Sequence, residues 1–238
     1  MEFENIKMWY LWHRSNLIDS DFFHGFTDFH SHILPGVDDG VKTMTEALGI
    51  LDYFNRLKIS KVMLTPHVMN GIENWETVVQ VFRMLSQQYK GEIALGLGAE
   101  YMIDSGFNER LDKGLQCLEK DTVLVETSYF SPPNNFYESL YNISITGNTP
   151  IIAHPERYLY MKYSDYYSLK EKNYLLQLNL LSLSGYYGKL AKKNAEFLLE
   201  QGMYDRVGTD LHNLQIFKKW VKEIKVTDKQ FGNLMAIR

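Results

Sequence analysis

Short apolar runs alternate along this chain with longer stretches whose apolar positions recur every three to four residues. HGFTDFH, KVMLTPH, EIALGLGAE, TVLVETS, TPIIAHPE, NYLLQLN and YDRVGTDLH read as strands: each is brief, rich in apolar residues and followed by polar or glycine-containing sequence. Between them lie helical patterns. In TMTEALGILDYFNRLK, residues Ala47, Ile50, Leu51 and Phe54 share a face, with Thr43 or Thr45 as the N-cap. In NWETVVQVFRMLSQQY the same holds for Val78, Val79, Phe82 and Leu85. NNFYESLYNISIT and KLAKKNAEFLLEQG continue the series, and Gly202 closes the latter as a C′ residue. Strand and helix alternating about seven times predict a parallel sheet with right-handed crossovers. A distorted (β/α)7 TIM-like barrel fits that count better than an open sheet.

Composition narrows the class. The 238 residues are 45% hydrophobic and 23% charged with a formal net charge of -4, as expected of one large globular domain. No basic excess points to nucleic acid, and no apolar run approaches the length of a membrane span, so neither partner is expected. The single cysteine, Cys117, excludes an internal disulfide and a cysteine-rich zinc site and suits a reducing cytoplasm. Cys117 sits in LQCLEK, read as a helical core position without the phosphate loop of a thiol phosphatase. In residues 1–25, charged positions interrupt every apolar run, so the segment is expected to be an aromatic-rich extension packed on the barrel rather than a signal peptide. Residues 26–238 form the remaining domain.

The chemistry lies at the strand ends. Of the seven histidines, His30, His32, His67, His154 and His212 fall at or just past a predicted strand, as do Glu100, Glu126 and Asp210. In a parallel α/β fold all strand C-termini open onto one face, so these residues converge. His30 and His32, spaced i and i+2, point to one side of their strand, and Asp210 and His212 repeat that spacing. Neutral imidazoles and carboxylates are ligands for divalent metals, and carboxylates also bridge neighbouring ions. Mutual repulsion among such groups calls for cations at their centre. Asp28, two residues before His30, is a candidate to orient an imidazole from behind. Asp39 is taken as a ligand from the VDDG loop, with adjacent Asp38 as the alternative.

DFHSHILPGVDDG, TPH, GAEYMID, VETS, AHPERY and GTDLHN, in this order, resemble the PHP (polymerase and histidinol phosphatase) family. More narrowly they are similar to its metal-dependent protein tyrosine phosphatases of bacterial capsule and exopolysaccharide synthesis. The likeness runs from about Phe26 to about Asn213. It implies a distorted seven-unit barrel holding two or three divalent ions, manganese or iron, with zinc or magnesium in some members. His30, His32, Glu100 and Asp210 would surround one ion. Glu100 would bridge to a second, held with Glu126 and His154, while Asp39, His67 and His212 would hold a third. Arg157 matches the phosphate-binding arginine, and a guanidinium fork beside His154 suits a phosphoryl group on its own chemistry. NLQIFKKWVKEI, after His212, departs from the family in lacking a nearby basic residue and prolines, and Arg206 precedes its strand.

The implied reaction is phosphotyrosine hydrolysis by a metal-bound hydroxide, with Arg157 gripping the phosphate. The implied protein partner is the phosphotyrosine tail of a capsule-synthesis tyrosine kinase in the cytoplasm. A small-molecule phosphatase of the histidinol-phosphate kind and a non-catalytic phosphotyrosine-binding regulator are the rival readings.

Overall fold

The computed structural model describes residues 14–72 and 74–238. After a two-residue strand β1 (Ser15–Asn16), parallel strands alternate with helices. They are β2 (Thr27–Ser31), β3 (Lys61–Leu64), β4 (His67–Val68), β5 (Ala94–Leu97), β6 (Glu100–Met102), β7 (Thr122–Glu126), β8 (Thr149–Ala153), β9 (Leu175–Asn179) and β10 (Arg206–Gly208). The helices are α1 (Met44–Arg56), α2 (Trp75–Gln88), α3 (Phe107–Lys113), α4 (Phe136–Ile145), α5 (Tyr163–Glu171), α6 (Lys189–Glu200), α7 (Leu214–Trp220) and α8 (Asp228–Ile237). A last strand, β11 (Lys225–Val226), pairs antiparallel with β1.

The helical faces follow the sequence pattern. Thr43 is the N-cap of α1: its hydroxyl accepts the Glu46 amide, and the Glu46 carboxylate accepts the Thr43 amide. Ala47, Ile50, Leu51 and Phe54 are all buried beneath that helix. In α2, Val78 and Leu85 are buried, whereas Val79 and Phe82 are half-buried. Helix α6 stops where Gly202 adopts φ +66°, the left-handed conformation that a C′ glycine supplies without steric cost. The strands are apolar on both faces, as in TVLVE of β7, because helices cover the outside and side chains fill the inside.

The fold is mixed α/β, one domain with a curled parallel half-barrel sheet. The ladder is in two pieces, β2-β3-β5 and β10-β9-β8-β7-β6-β4, where a seven-unit barrel predicts a continuous one. Each interruption has a local cause. Pro66 separates β3 from β4 and has no amide to donate, and Gly98 separates β5 from β6. Backbone bonds still join the pieces: Gly98 N donates to Leu64 O and Glu100 N to Pro66 O, while Asp210 N donates to His30 O and His32 N to Leu211 O. The strand C-termini therefore face a common mouth.

One expectation fails. Cys117 is not helical, because α3 ends at Gly114 with φ +90° and the chain leaves as a loop. Its half-buried thiol lies 3.4 Å from Asn148 Oδ1, and burial pushes its pKa up. Of the aromatic-rich N-terminal segment, residues 1–13 lie outside the described residues. Residues 14–25 run beneath the start of β2, where Leu17, Phe22 and Phe23 are buried and Phe23 meets Phe217 edge-on. The Arg238 guanidinium clasps this segment by donating to the carbonyls of Asp21, Phe22 and His24. Among the described residues no helix is long and apolar enough to cross a membrane.

Candidate metal centre

Strand β2 delivers His30 and His32 fully buried at its C-terminal end. Each ring is oriented from behind through Nδ1. His30 Nδ1 lies 2.9 Å from Gln177 Oε1, and His32 Nδ1 lies 2.8 Å from Asp38 Oδ2. Both partners are acceptors, so each ring donates from Nδ1 and turns the Nε2 lone pair into the cavity. The two Nε2 atoms then face one another at 3.0 Å. Both also approach Glu100 Oε2 at 3.2 Å, and Asp210 Oδ1 at 3.5 and 3.3 Å. Lone pairs and carboxylate oxygens converging this way need a cation between them.

Strand ends β4, β6, β7 and β8 add the rest. His67 Nδ1 lies 3.0 Å from both Glu100 Oε2 and Glu126 Oε1, and His154 Nε2 lies 3.1 Å from Glu100 Oε1. His67 Nδ1, Glu100 Oε2, Glu126 Oε1 and His154 Nδ1 are nevertheless buried without a hydrogen-bond partner, since proximity is not matched by alignment. Buried polar atoms left orphaned are costly, and metal ions satisfy them. At the rim, Asp39 Oδ1 lies 3.4 Å from Nε2 of both His67 and His212. Four sets bring their ligand atoms within 4.8 Å of one another: His32, Asp39, His67 and His212; His30, His32 and Asp210; His30, Glu100 and His154; and His67, Glu100 and Glu126. The donor set is imidazole and carboxylate throughout, and it fits divalent transition metals.

All nine strand-end and loop residues singled out by sequence thus come together. His154 Nε2 also lies 3.9 Å from Glu126 Oε2, so the two residues expected to share an ion are neighbours. Asp38 and Asp39 separate. Asp38 is buried behind His32 and also accepts the amides of Gly40 and His67, while the side chain of Asp39 is 71% exposed and faces the mouth. Gly40 makes this arrangement reachable, because a Cβ there would sit 2.2 Å from His32 O. Asp28 does not orient an imidazole. Its carboxylate accepts the backbone amides of His30 and Thr209 and the Thr209 hydroxyl, tying β2 to β10.

Electrostatics follow from the crowding. Burial would raise the Glu100 and Asp210 carboxyls, but positive charge at the position of His30 holds both well below the usual range, with charge at His67 adding to the effect at Glu100. Burial and the neighbouring Glu100 push Glu126 up. Against burial and His32, the carboxylates of Glu100 and Glu126 lift His67 to about 10. Burial would also raise Asp38, but His32 and the two amides hold it at about 2. The carboxylates thus require positive charge beside them. Two candidate ligands, His154 and Asp210, adopt left-handed backbone at φ +34° and +49°. That conformation costs about 1 kcal/mol or more in a non-glycine residue and persists where the surroundings hold it.

Arg157 closes one side of the cavity. Its Nη1 donates to Asp210 Oδ2 at 2.8 Å, and its guanidinium is stacked between Tyr187, 3.9 Å from the ring centroid, and Tyr129, at 4.4 Å. Glu156 is not its partner. That carboxylate points into the core, where it accepts from Ser182, the Asn179 amide and the Tyr204 hydroxyl. Asn179 in turn donates to Asp210 Oδ2 at 2.7 Å. Arg206 lies away from the site, with its Nε 3.4 Å from Glu119. Gln177, Asn179, Tyr129 and Tyr187 were not singled out by sequence. The signal for the first two is polar residues at alternate positions of the otherwise apolar β9. Replacing Gln177 by leucine is expected to weaken metal affinity about 10- to 100-fold, read by metal titration of the purified protein.

A family model for capsular polysaccharide synthesis, CpsB/CapC, matches residues 26–236. The chain is 29% identical over 216 residues to the tyrosine-protein phosphatase YwqE of Bacillus subtilis (strain 168), covering 87% of this chain and 85% of that protein. It is 29% identical over 221 residues to the tyrosine-protein phosphatase CpsB of Streptococcus pneumoniae, covering 86% and 90%. A solved chain from crystal structures of YwqE and CpsB, described as unique metal-dependent tyrosine phosphatases, superposes with a TM-score of 0.70 at 26% identity over 88% of this chain and 86% of that one.

Proposed function

The chain belongs to the capsular polysaccharide synthesis family CpsB/CapC, and from that premise we propose that it is a metal-dependent protein-tyrosine phosphatase. The observation that carries this reading is the placement of the Arg157 guanidinium, clamped between two tyrosines, beside a buried cluster of imidazoles and carboxylates. That is a phosphoryl-sized site with one permanent cation and a set of metal ligands.

His30, His32, Asp39, His67, Glu100, Glu126, His154, Asp210 and His212 would hold two or three divalent ions, manganese first among them, with iron, zinc and magnesium as the other candidates. Bound ions supply Lewis acidity and an acidified water. The protein supplies position. Gln177 and Asp38 fix the ring tautomers of His30 and His32, and burial keeps bulk water from screening the site. Arg157 orients the phosphoryl group and neutralises its non-bridging oxygens as charge develops. Tyrosine leaves as a phenolate with a pKa of about 10, so the reaction does not demand a strong general acid.

The substrate we propose is the phosphotyrosine tail of a capsule-synthesis tyrosine kinase in the cytoplasm. The division into an aromatic extension (1–25) and a phosphatase domain (26–238), and closure of the curled sheet as a distorted seven-unit TIM-like barrel, belong to the same reading. The backbone bonds between β2 and β10 support closure. Steady-state hydrolysis of a phosphotyrosine peptide compared with histidinol phosphate tests the function. Preference for the peptide by at least about tenfold in kcat/KM is the expected result, about 1.4 kcal/mol in transition-state binding. Preference for histidinol phosphate would identify a small-molecule phosphatase, and turnover of neither would leave a binding regulator.

A further inference from the structure

The cavity beside the candidate metal centre, about 330 Å³, is lined by both polar and apolar side chains. Buried candidate ligands and Arg157 supply the polar lining. The faces of Tyr129 and Tyr187 are occupied by the guanidinium. The remaining apolar lining that reaches the opening is Tyr186 and Ile216, which are 37% and 38% exposed. These two residues come from segments far apart in sequence and line the same cavity.

Tyr186 is held rigidly. It lies in SGYYG, where Gly185 and Gly188 take φ +90° and +96°, and its amide donates to Ser184 Oγ at 3.1 Å. Its ring meets Tyr187 edge-on at 4.7 Å and Trp220 at 5.5 Å. An exposed tyrosine fixed by two aromatic neighbours has little rotamer freedom left to lose when a ligand packs against it. Ile216 projects from the first turns of α7, directly after the Asn213 N-cap. A phosphate ester seated beside Arg157 occupies the cavity that these two residues also line.

Resting on the phosphatase reading above, we propose that Tyr186 and Ile216 receive the phenyl ring of the substrate and set its preference for aryl over alkyl phosphate esters. An aromatic ring buries apolar area against both residues and gains an offset or edge contact with Tyr186. A short alkyl ester leaves both residues wet. The pair therefore selects by the leaving group, while the polar lining binds the phosphoryl group common to all esters.

Two stable phosphonates isolate the ring. Benzylphosphonate and methylphosphonate share a head group, and their calorimetric affinities for the metal-loaded protein need no turnover. Wild type is expected to bind the benzyl compound about tenfold more tightly, the scale of an aromatic contact plus burial. In the Tyr186→Ala, Ile216→Ala double variant that ratio falls towards one, whereas Tyr186→Phe keeps it. Ile216→Asn alone, at a part-exposed position, lowers it in part and serves if the double variant does not fold. An unchanged ratio in the folded variants, or no preference in wild type, overturns the inference. Failure of wild type to hydrolyse phosphotyrosine peptide, with the ratio intact, would instead overturn the phosphatase reading and leave the aryl preference standing.

Discussion

His30→Ala is expected to lower kcat/KM on a phosphotyrosine peptide by about three powers of ten, the scale of the several kcal/mol that a catalytic metal contributes. His30 is fully buried and belongs to two of the four sets of candidate ligands, so its loss disturbs more than one of them. The cavity left behind also strands Gln177 Oε1, Glu100 and Asp210 without their shared partner. Elemental analysis of the variant should show fewer ions per chain than wild type, and a chelator should abolish wild-type turnover until divalent metal is restored. A rim ligand gives a contrast. His212 Nδ1 is backed by the Asp210 carbonyl and its side chain is 32% exposed, so His212→Ala should lose less activity and less metal. Alkylation of Cys117, remote from the cavity lining, should leave turnover unchanged. A His30→Ala protein with wild-type rate and metal content would sink the metal mechanism.

Arg157→Ala is expected to cost about 10²- to 10³-fold in kcat/KM, as loss of one preorganised group opposite developing charge does elsewhere. Metal content should stay near wild type, because Asp210 keeps Asn179 as a donor and its place among the histidines. That separates the phosphate grip from the ligand set. Arg157→Lys should recover little. An ammonium cannot stack between Tyr129 and Tyr187 as a planar guanidinium does, nor offer two parallel donors to a phosphoryl group. Steady-state kinetics on both variants, with elemental analysis alongside, reads the result. Full activity in Arg157→Ala would remove this residue from the reaction.

Much of this site was legible because its signals are local. The spacing of His30 and His32 places both rings on one side of an extended strand, whatever the rest of the chain does. Placement of Glu100, Glu126, His154 and Asp210 after apolar runs carries them to one face by the rule of parallel sheets. The capping box at Thr43 and the buried face of α1 follow from short-range spacing alone. Other features were not legible. Asp38 and Asp39 are neighbours with the same side chain, and only the loop's press against His32, which Gly40 permits, puts one behind the ring and the other at the mouth. Asp28 looked like a partner for an imidazole, but β10 packs close enough to claim it through Thr209. The helical reading of Cys117 failed because Gly114 ends α3 early.

By itself, then, the sequence determined the α/β class, the imidazole and carboxylate types of the candidate ligands and the face on which they gather, since each depends on residues within a few positions of one another. Tertiary structure decided which lone pairs face one another, which tautomers Gln177 and Asp38 impose, and how Arg157 is clamped. It also decided that Pro66 and Gly98 leave the sheet in two pieces joined by backbone bonds. Those outcomes rest on distances of about 3 Å between groups as far apart in the chain as His30 and Gln177. Hydrogen bonding and metal coordination are sensitive to fractions of an ångström, and separation along the chain carries no such information until packing sets it.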